Sequence, residues 1–147
     1  MASAYLLDTC IIVAALKGEP RALLNRLATI APNRLHMSAL VLAELYAGSE
    51  KSRDPARHKA DISDLTQAMT PLAFDADCAS AYGRIRAHLE RKGAGIGPMD
   101  CMIAAQAIAH GLVLVTDNLR EFQRVPGLHC ENWLRAPRPA KGSGASR

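Results

Sequence analysis

The chain has 147 residues, 49% of them hydrophobic and 22% charged, proportions that suit one compact domain and exclude a fibrous or low-complexity chain. Its net charge of +4 lies in residues 135–147, where Arg135, Arg138, Lys141 and Arg147 meet no acid, so the body is balanced at 14 basic and 14 acidic residues. No stretch approaches the roughly 20 apolar residues that span a bilayer, and no basic region followed by an apolar run opens the chain, so neither membrane insertion nor secretion is expected.

Tyr5 to Asp8 reads as a first strand, followed by a helix over Thr9 to Lys17 that stops near Gly18. Pro20 opens a second helix to about Ile30, with Leu23, Leu24 and Leu27 on one face. Leu35 to Met37 forms a short second strand, and Ser38 caps a helix ending at Gly48. Pro55 to Met69 carries Ile62, Leu65, Ala68 and Met69 at helical spacing. The clearest 3.6-residue stripe is Phe74, Cys78, Ala81, Tyr82, Ile85 and Leu89, on a helix capped by Asp75 and closed by Gly93. Pro98 is a good first helical residue, so Asp100 falls in the first turn of a helix that Gly111 ends. Leu112 to Val115 is the last core strand, Leu119 to Gln123 a short helix and Leu128 to Cys130 an edge strand, with the core ending near Trp133. Strands alternating with helices predict an α/β fold with a parallel sheet covered on both faces. Residues 1–134 form that domain, and 135–147, rich in Pro, Gly and Ser without apolar periodicity, form a basic disordered tail.

Four carboxylates stand out. Asp8 and Asp117 each end an apolar strand, Asp100 opens a helix, and Glu44 sits in an otherwise apolar helical stretch between Ala43 and Leu45. Ligands bind at the carboxyl edge of open parallel sheets. If these acids converge there, at separations of about 4 Å, each pair repels by roughly 1–4 kcal/mol at surface-like dielectrics, so a cation neutralises them or some become protonated. The helix dipole at Asp100 favours its anionic form. Singly each acid has an ordinary explanation: a cap, a turn, a solvated helix face. Without these four, the body keeps 14 basic residues against 10 acidic ones, an excess open to phosphate.

Cys10, Cys78, Cys101 and Cys130 lack any Cys-x-x-Cys pair and any zinc-finger spacing, which predicts free thiols in a reducing cytoplasm. Cys10 and Cys101 neighbour the acids in sequence and could serve as nucleophiles or soft ligands, although small buried residues are the commoner role. His36, His58, His88, His110 and His129 show no ligand spacing to one another and are read as surface or core residues. Arg84, Arg86 and Arg91 face either the phosphates of a partner or solvent, and Tyr82 belongs to the core stripe.

In order and spacing, the chain resembles the PIN-domain toxins of bacterial toxin–antitoxin pairs, the VapC type. The matching stretches are Tyr5-Leu6-Leu7-Asp8-Thr9, Ser38 through Ala43-Glu44-Leu45, Tyr82-Gly83-Arg84-Ile85-Arg86, Ile96-Gly97-Pro98-Met99-Asp100 through Ile103-Ala104-Ala105, Leu114-Val115-Thr116-Asp117-Asn118, and Phe122 through Val125-Pro126-Gly127-Leu128 to Glu131-Asn132-Trp133. The resemblance implies a three-layer α/β/α sandwich and assigns the acidic cluster to Asp8, Glu44, Asp100 and Asp117, with Asp8, Asp100 and Asp117 as metal ligands and Thr9 and Thr116 as supporting hydroxyls. Cys10 departs from the asparagine frequent at its position. The resemblance further implies a Mg²⁺-dependent endoribonuclease, with Mn²⁺ as a substitute, that hydrolyses RNA to 5′-phosphate and 3′-hydroxyl products. Oxygen ligands suit Mg²⁺, which keeps several waters and is commonly held by one or two carboxylates. Implied partners are a tRNA or rRNA substrate, a VapB-type antitoxin that lays a segment into a groove among the helices, a second copy of the chain in a homodimer, and operator DNA reached only through the antitoxin.

Two other functions compete. An aspartyl-nucleophile phosphatase also begins with an apolar strand ending in Asp, but wants a second Asp two residues later, where Cys10 stands. The same fold could equally be a catalytically silent binding platform for a regulatory partner, which nuclease assays with and without Mg²⁺ would separate from an enzyme.

Overall fold

A computed structural model describes residues 2–135. Five strands, β1 (Tyr5–Leu7), β2 (Leu35–Ser38), β3 (Pro71–Leu72), β4 (Val113–Val115) and β5 (Cys130–Glu131), form one sheet in the order β3-β2-β1-β4-β5. Every pairing is parallel; Leu7 lies opposite Met37 on one side and Val115 on the other. The seven α-helices among the described residues are α1 (Thr9–Lys17), α2 (Arg21–Ala28), α3 (Ala39–Glu50), α4 (Pro55–Ala68), α5 (Ala76–Arg91), α6 (Pro98–Ala109) and α7 (Leu119–Phe122). α5 packs along α6, which lies against β4, while α3 joins α1 and α4 in a second group. Sheet and helices make the expected three-layer α/β sandwich.

The central strands are buried because both faces are covered: Leu6, Leu7, Met37, Leu114 and Val115 have essentially no exposed surface. Ile11 and Ile12 from α1, Val41 from α3 and Ile103 and Ala104 from α6 complete the core. At about 25 cal/mol per Å² of apolar surface, each large side chain so buried contributes roughly 1.5–3 kcal/mol. The α5 stripe works as its spacing predicts, with Cys78, Ala81, Ile85 and Leu89 buried and Tyr82 half-buried at its margin. On α2 only Leu23 is buried; Leu24 is exposed and Leu27 lies at the edge of the core. The C-terminal part of the domain is held to β1 by Trp133, whose ring meets Tyr5 edge-on at 4.8 Å and carries the Arg26 guanidinium 5.1 Å from its centroid.

Several boundaries differ from the sequence reading. α3 runs through Gly48 to Glu50, since Gly48 stays helical; the positive φ that halts a helix at glycine occurs instead at Gly18 (76°), Gly93 (62°) and Gly111 (64°). β3 has no counterpart in the sequence reading, and the edge strand falls at Cys130–Glu131 rather than Leu128 to Cys130. The expected tail lies outside the described residues except for Arg135, which approaches Asp117 at 3.6 Å. Among the described residues no helix is long and apolar enough to cross a membrane.

Candidate metal centre

Parallel pairing of β2, β1 and β4 brings their carboxyl ends to one edge, and the site is assembled there. Asp8 follows β1 directly in extended conformation (φ −73°, ψ 165°) and caps α1, its Oδ1 accepting the Thr9 backbone N–H at 2.8 Å. Its Oδ2 accepts from the Thr116 hydroxyl at 2.7 Å. Thr116, wholly buried after β4, also accepts the Asn118 N–H at 3.0 Å, so one hydroxyl fixes both the Asp8 carboxylate and the turn beyond β4. Thr9 donates its own hydroxyl to Glu44 Oε2. Glu44 is thereby tied to the start of α1 although it stands on α3, half-buried and not free in solvent. The two threonines thus hold two acids from behind.

Asp100 enters from the opposite helical group, in the first turn of α6 behind Gly97 and Pro98. Gly97 lies close beside it: a Cβ there would come within 4.0 Å of Asp100 Oδ2, ordinary contact. Burial raises the pKa of Asp100, and the charges of Asp8, Glu44 and Glu121 raise it further. Asp8 is also raised, by burial first and by Glu44 last, against the lowering effect of its bonds to Thr116 and Thr9. The helix-terminus argument expected a stabilised anion at Asp100; desolvation first, and three neighbouring carboxylates after it, act in the opposite direction. Glu121 is the acid that the sequence reading missed. It stands on the one-turn helix α7, four residues after Asp117, where its pairing with Arg124 at 3.6 Å gives it the look of a surface ion pair.

Asp8, Glu44 and Asp100 therefore act on one another electrostatically. Asp117 stands apart from them: it is exposed, accepts from Asn132 Nδ2 at 2.9 Å and faces Arg135, and its charge is not among those that raise Asp8 or Asp100. No three of these acids among the described residues place ligand atoms within 4.8 Å of one another, so they do not close a tight three-ligand cage. Such spacing suits a strongly hydrated cation better than a bare one in a tight cage. The donors are all oxygen, and among the described residues no Lys or Arg forms an ion pair with Asp8, Glu44 or Asp100. Charge, donor type and spacing thus fit a divalent cation of the Mg²⁺ or Mn²⁺ kind.

Cys10 accepts the Asp117 N–H through Sγ at 3.4 Å, so it props the post-β4 turn where an asparagine amide is frequent. Burial, together with the Asp8 and Asp117 charges, pushes its thiol up, against the lowering effect of the Asp117 N–H. Cys130 is pushed up to about 11 by burial and the Asp8 charge, and burial raises Cys101 as well. Protonated thiols are poor nucleophiles, so none of the three is poised for attack. All four cysteines are free.

From Thr9 and Glu44 a groove of about 910 Å³ runs between α1, α3 and α4, lined by Val13, Leu16, Leu45 and Ile62, by the basic Lys17, Arg53 and Arg57 and by the acidic Asp54 and Asp61. Leu16 beside it is 43% exposed. Arg84 and Arg91 line a separate groove of about 650 Å³ with His88 and Pro126, and Arg86 is engaged by Glu90 at 2.8 Å and by Tyr82 at 3.1 Å. None of these three arginines lines the groove at the acids.

Comparison with known proteins agrees with this architecture. The PIN domain family matches residues 5–128. Ribonuclease VapC2 of Haemophilus influenzae is 42% identical over 88% of this chain and 98% of its own length. The tRNA(fMet)-specific endonuclease VapC of Salmonella typhimurium is 40% identical over 88% and 97%. A chain in the crystal structure of DNA-bound VapBC from Salmonella typhimurium superposes with a TM-score of 0.84 at 39% identity, covering 90% of this chain and 99% of that one. The protein belongs to the PIN-domain family and, within it, to the VapC ribonucleases.

Proposed function

We propose that this protein is the toxin of a VapBC-type pair and hydrolyses RNA phosphodiester bonds at the edge where Asp8, Glu44 and Asp100 meet. The observation that carries the chemistry is the gathering of these acids at one edge: burial first, and neighbouring carboxylates after it, raise Asp8 and Asp100, and among the described residues no Lys or Arg pairs with either. A bound Mg²⁺ or Mn²⁺ would offset that charge and supply an activated water and a Lewis acid at the scissile phosphate. Asp8 and Asp100 are its principal holders. Glu44, oriented by Thr9, and Glu121 would hold waters of the ion, and Asp117 would join through its exposed carboxylate once an RNA phosphate draws Arg135 away or the metal displaces it. Thr116 keeps one Asp8 oxygen fixed so that the other lone pairs stay available.

Lys17, Arg53 and Arg57 meet the phosphates of an RNA strand laid along the neighbouring groove. A VapB-type antitoxin blocks the same groove with an apolar segment over Leu16 and Leu45. The substrate we favour is tRNA, with initiator tRNA first, by likeness to the Salmonella typhimurium endonuclease. Homodimerisation and a cytoplasmic location belong to the same proposal.

Replacing Asp100 by Asn keeps shape and removes charge. Purified wild type and Asp100→Asn are to be compared on initiator tRNA with Mn²⁺, then with excess chelator. The variant is expected to fold and to cleave slower by on the order of a hundredfold or more, equivalent to roughly 2.7 kcal/mol of transition-state stabilisation. Equal rates, or wild-type cleavage that survives chelation, would overturn a metal held by Asp100, and a wild type that cleaves nothing with Mn²⁺ would leave the fold as a binding platform.

A further inference from the structure

The structure holds a second group of ligand atoms far from the acids. Asp75, Cys78 and His110 bring a carboxylate oxygen, a thiol sulfur and an imidazole nitrogen within 4.8 Å of one another. Asp75 caps α5 and Cys78 lies in its first turn; His110 is the C-cap of α6. Asp100 stands ten residues earlier on α6, so about 15 Å of helix separates the two places.

We propose that Asp75, Cys78 and His110 form a tridentate site for Zn²⁺ or another borderline transition metal, clamping the start of α5 to the end of α6. The donor set carries the choice of ion: thiolate and imidazole favour zinc and disfavour Mg²⁺. With Zn–N, Zn–O and Zn–S bonds of about 2.0–2.3 Å, tetrahedral ligands lie roughly 3.3–3.8 Å apart; Cys78 Sγ is 3.6 Å from His110 Nε2, within that range, and Asp75 Oδ2, 3.9 Å from that nitrogen, closes in by a few tenths of an ångström on exposed side chains when the ion binds. His110 Nε2 therefore faces both other donors. Asp75 performs its capping through Oδ1, which accepts the Cys78 N–H at 3.0 Å, leaving Oδ2 to the ion. The ion reaches the site from solvent between the exposed Asp75 and His110, and Cys78, wholly buried, forms its floor. Binding requires the Cys78 thiol to release its proton to solvent, as every thiolate ligand must. Water takes the fourth position.

A hydrogen-bonded thiol beside a helix cap is the plain alternative, and cobalt distinguishes the two. Reduced, metal-free protein is titrated with Co²⁺ in the presence of excess Mg²⁺, which occupies the carboxylate centre. A thiolate-to-cobalt charge-transfer band saturating at one equivalent is expected in wild type, in Cys10→Ser and in Asp8→Asn, and is expected to vanish in Cys78→Ser and in His110→Gln. Because His110 is exposed, His110→Gln folds even if the buried Cys78 does not tolerate serine; its far-ultraviolet dichroism checks this. Zn²⁺ should raise the melting temperature of wild type and leave that of His110→Gln unmoved. Absence of the band in wild type, its persistence in His110→Gln, or its loss in Cys10→Ser would overturn the site.

Discussion

Asp8 joins three roles in one side chain: it follows the last residue of β1, caps α1 and is the one buried acid among the described residues. Asn caps a helix about as well as Asp, so Asp8→Asn keeps the cap and removes chiefly the charge at the site. The Asp8 pKa is raised in the fold, as is that of Asp100. A carboxyl whose folded pKa exceeds its unfolded value costs stability in full above the folded pKa, and the cost is relieved as pH falls from there toward the unfolded value. Asp75 has the opposite sign, its carboxyl lowered by the Cys78 N–H, and loses its contribution as pH falls through its folded pKa. Subtracting wild type from a single variant removes that second trend. In chelator, Asp8→Asn is expected to match or exceed wild type in stability at neutral pH, with the difference shrinking under acid, as urea unfolding would measure. Mg²⁺ should then raise the wild-type melting temperature more than the variant's. A difference that stays flat with pH, or equal metal shifts, would mean that the Asp8 charge is not under strain.

Between elements, polar side chains decide placements that apolar pattern leaves open. Gln106, fully buried on α6, donates through Nε2 to the carbonyls of Leu72 at 3.0 Å and Ala73 at 3.1 Å, while its Oε1 has no partner. It ties α6 to the end of β3. Gln106→Leu fills the same space but leaves two carbonyls short of a donor, a loss of about 1–3 kcal/mol expected in the urea midpoint; an unchanged midpoint would show that both carbonyls find other donors. β3 itself was invisible in sequence because two residues, one of them Pro71, have no alternation to display. α1, α5 and α6 were legible because cap, apolar stripe and terminal glycine agree. Asp8, Glu44 and Asp100 were legible as candidates for a related reason: each is a carboxylate at an element's edge or in an apolar setting that offers it little solvent. Glu121 gave no such signal, since a one-turn helix shows no period and Arg124 offers an ordinary pairing. The cluster of Asp75, Cys78 and His110 was equally hidden, because 32 residues separate Cys78 from His110 and only the packing of α5 on α6 unites them.

At the scale of the whole molecule, the acids at one edge and the basic residues elsewhere oppose each other toward an anionic polymer. Residues 136–147 contribute Arg138, Lys141 and Arg147 without an acid, so their removal lowers the net charge from +4 to +1. Arg135 approaches Asp117, so the cut is placed after it to keep that contact. The buried core of the described residues and the candidate acids all lie before that cut. Truncation after Arg135 is therefore expected to leave the melting temperature and the cleavage rate at saturating RNA unchanged, while weakening RNA affinity at low salt. Each phosphate contact to a single strand contributes about −0.7 to the slope of log K against log salt, so three lost contacts would flatten it by about 2. Filter binding of a catalytically silent Asp100→Asn background, with and without the truncation, across a salt series measures that slope free of cleavage. Were the two slopes the same, the last twelve residues would contribute no phosphate contacts, and RNA attraction would rest on Lys17, Arg53 and Arg57 beside the acids.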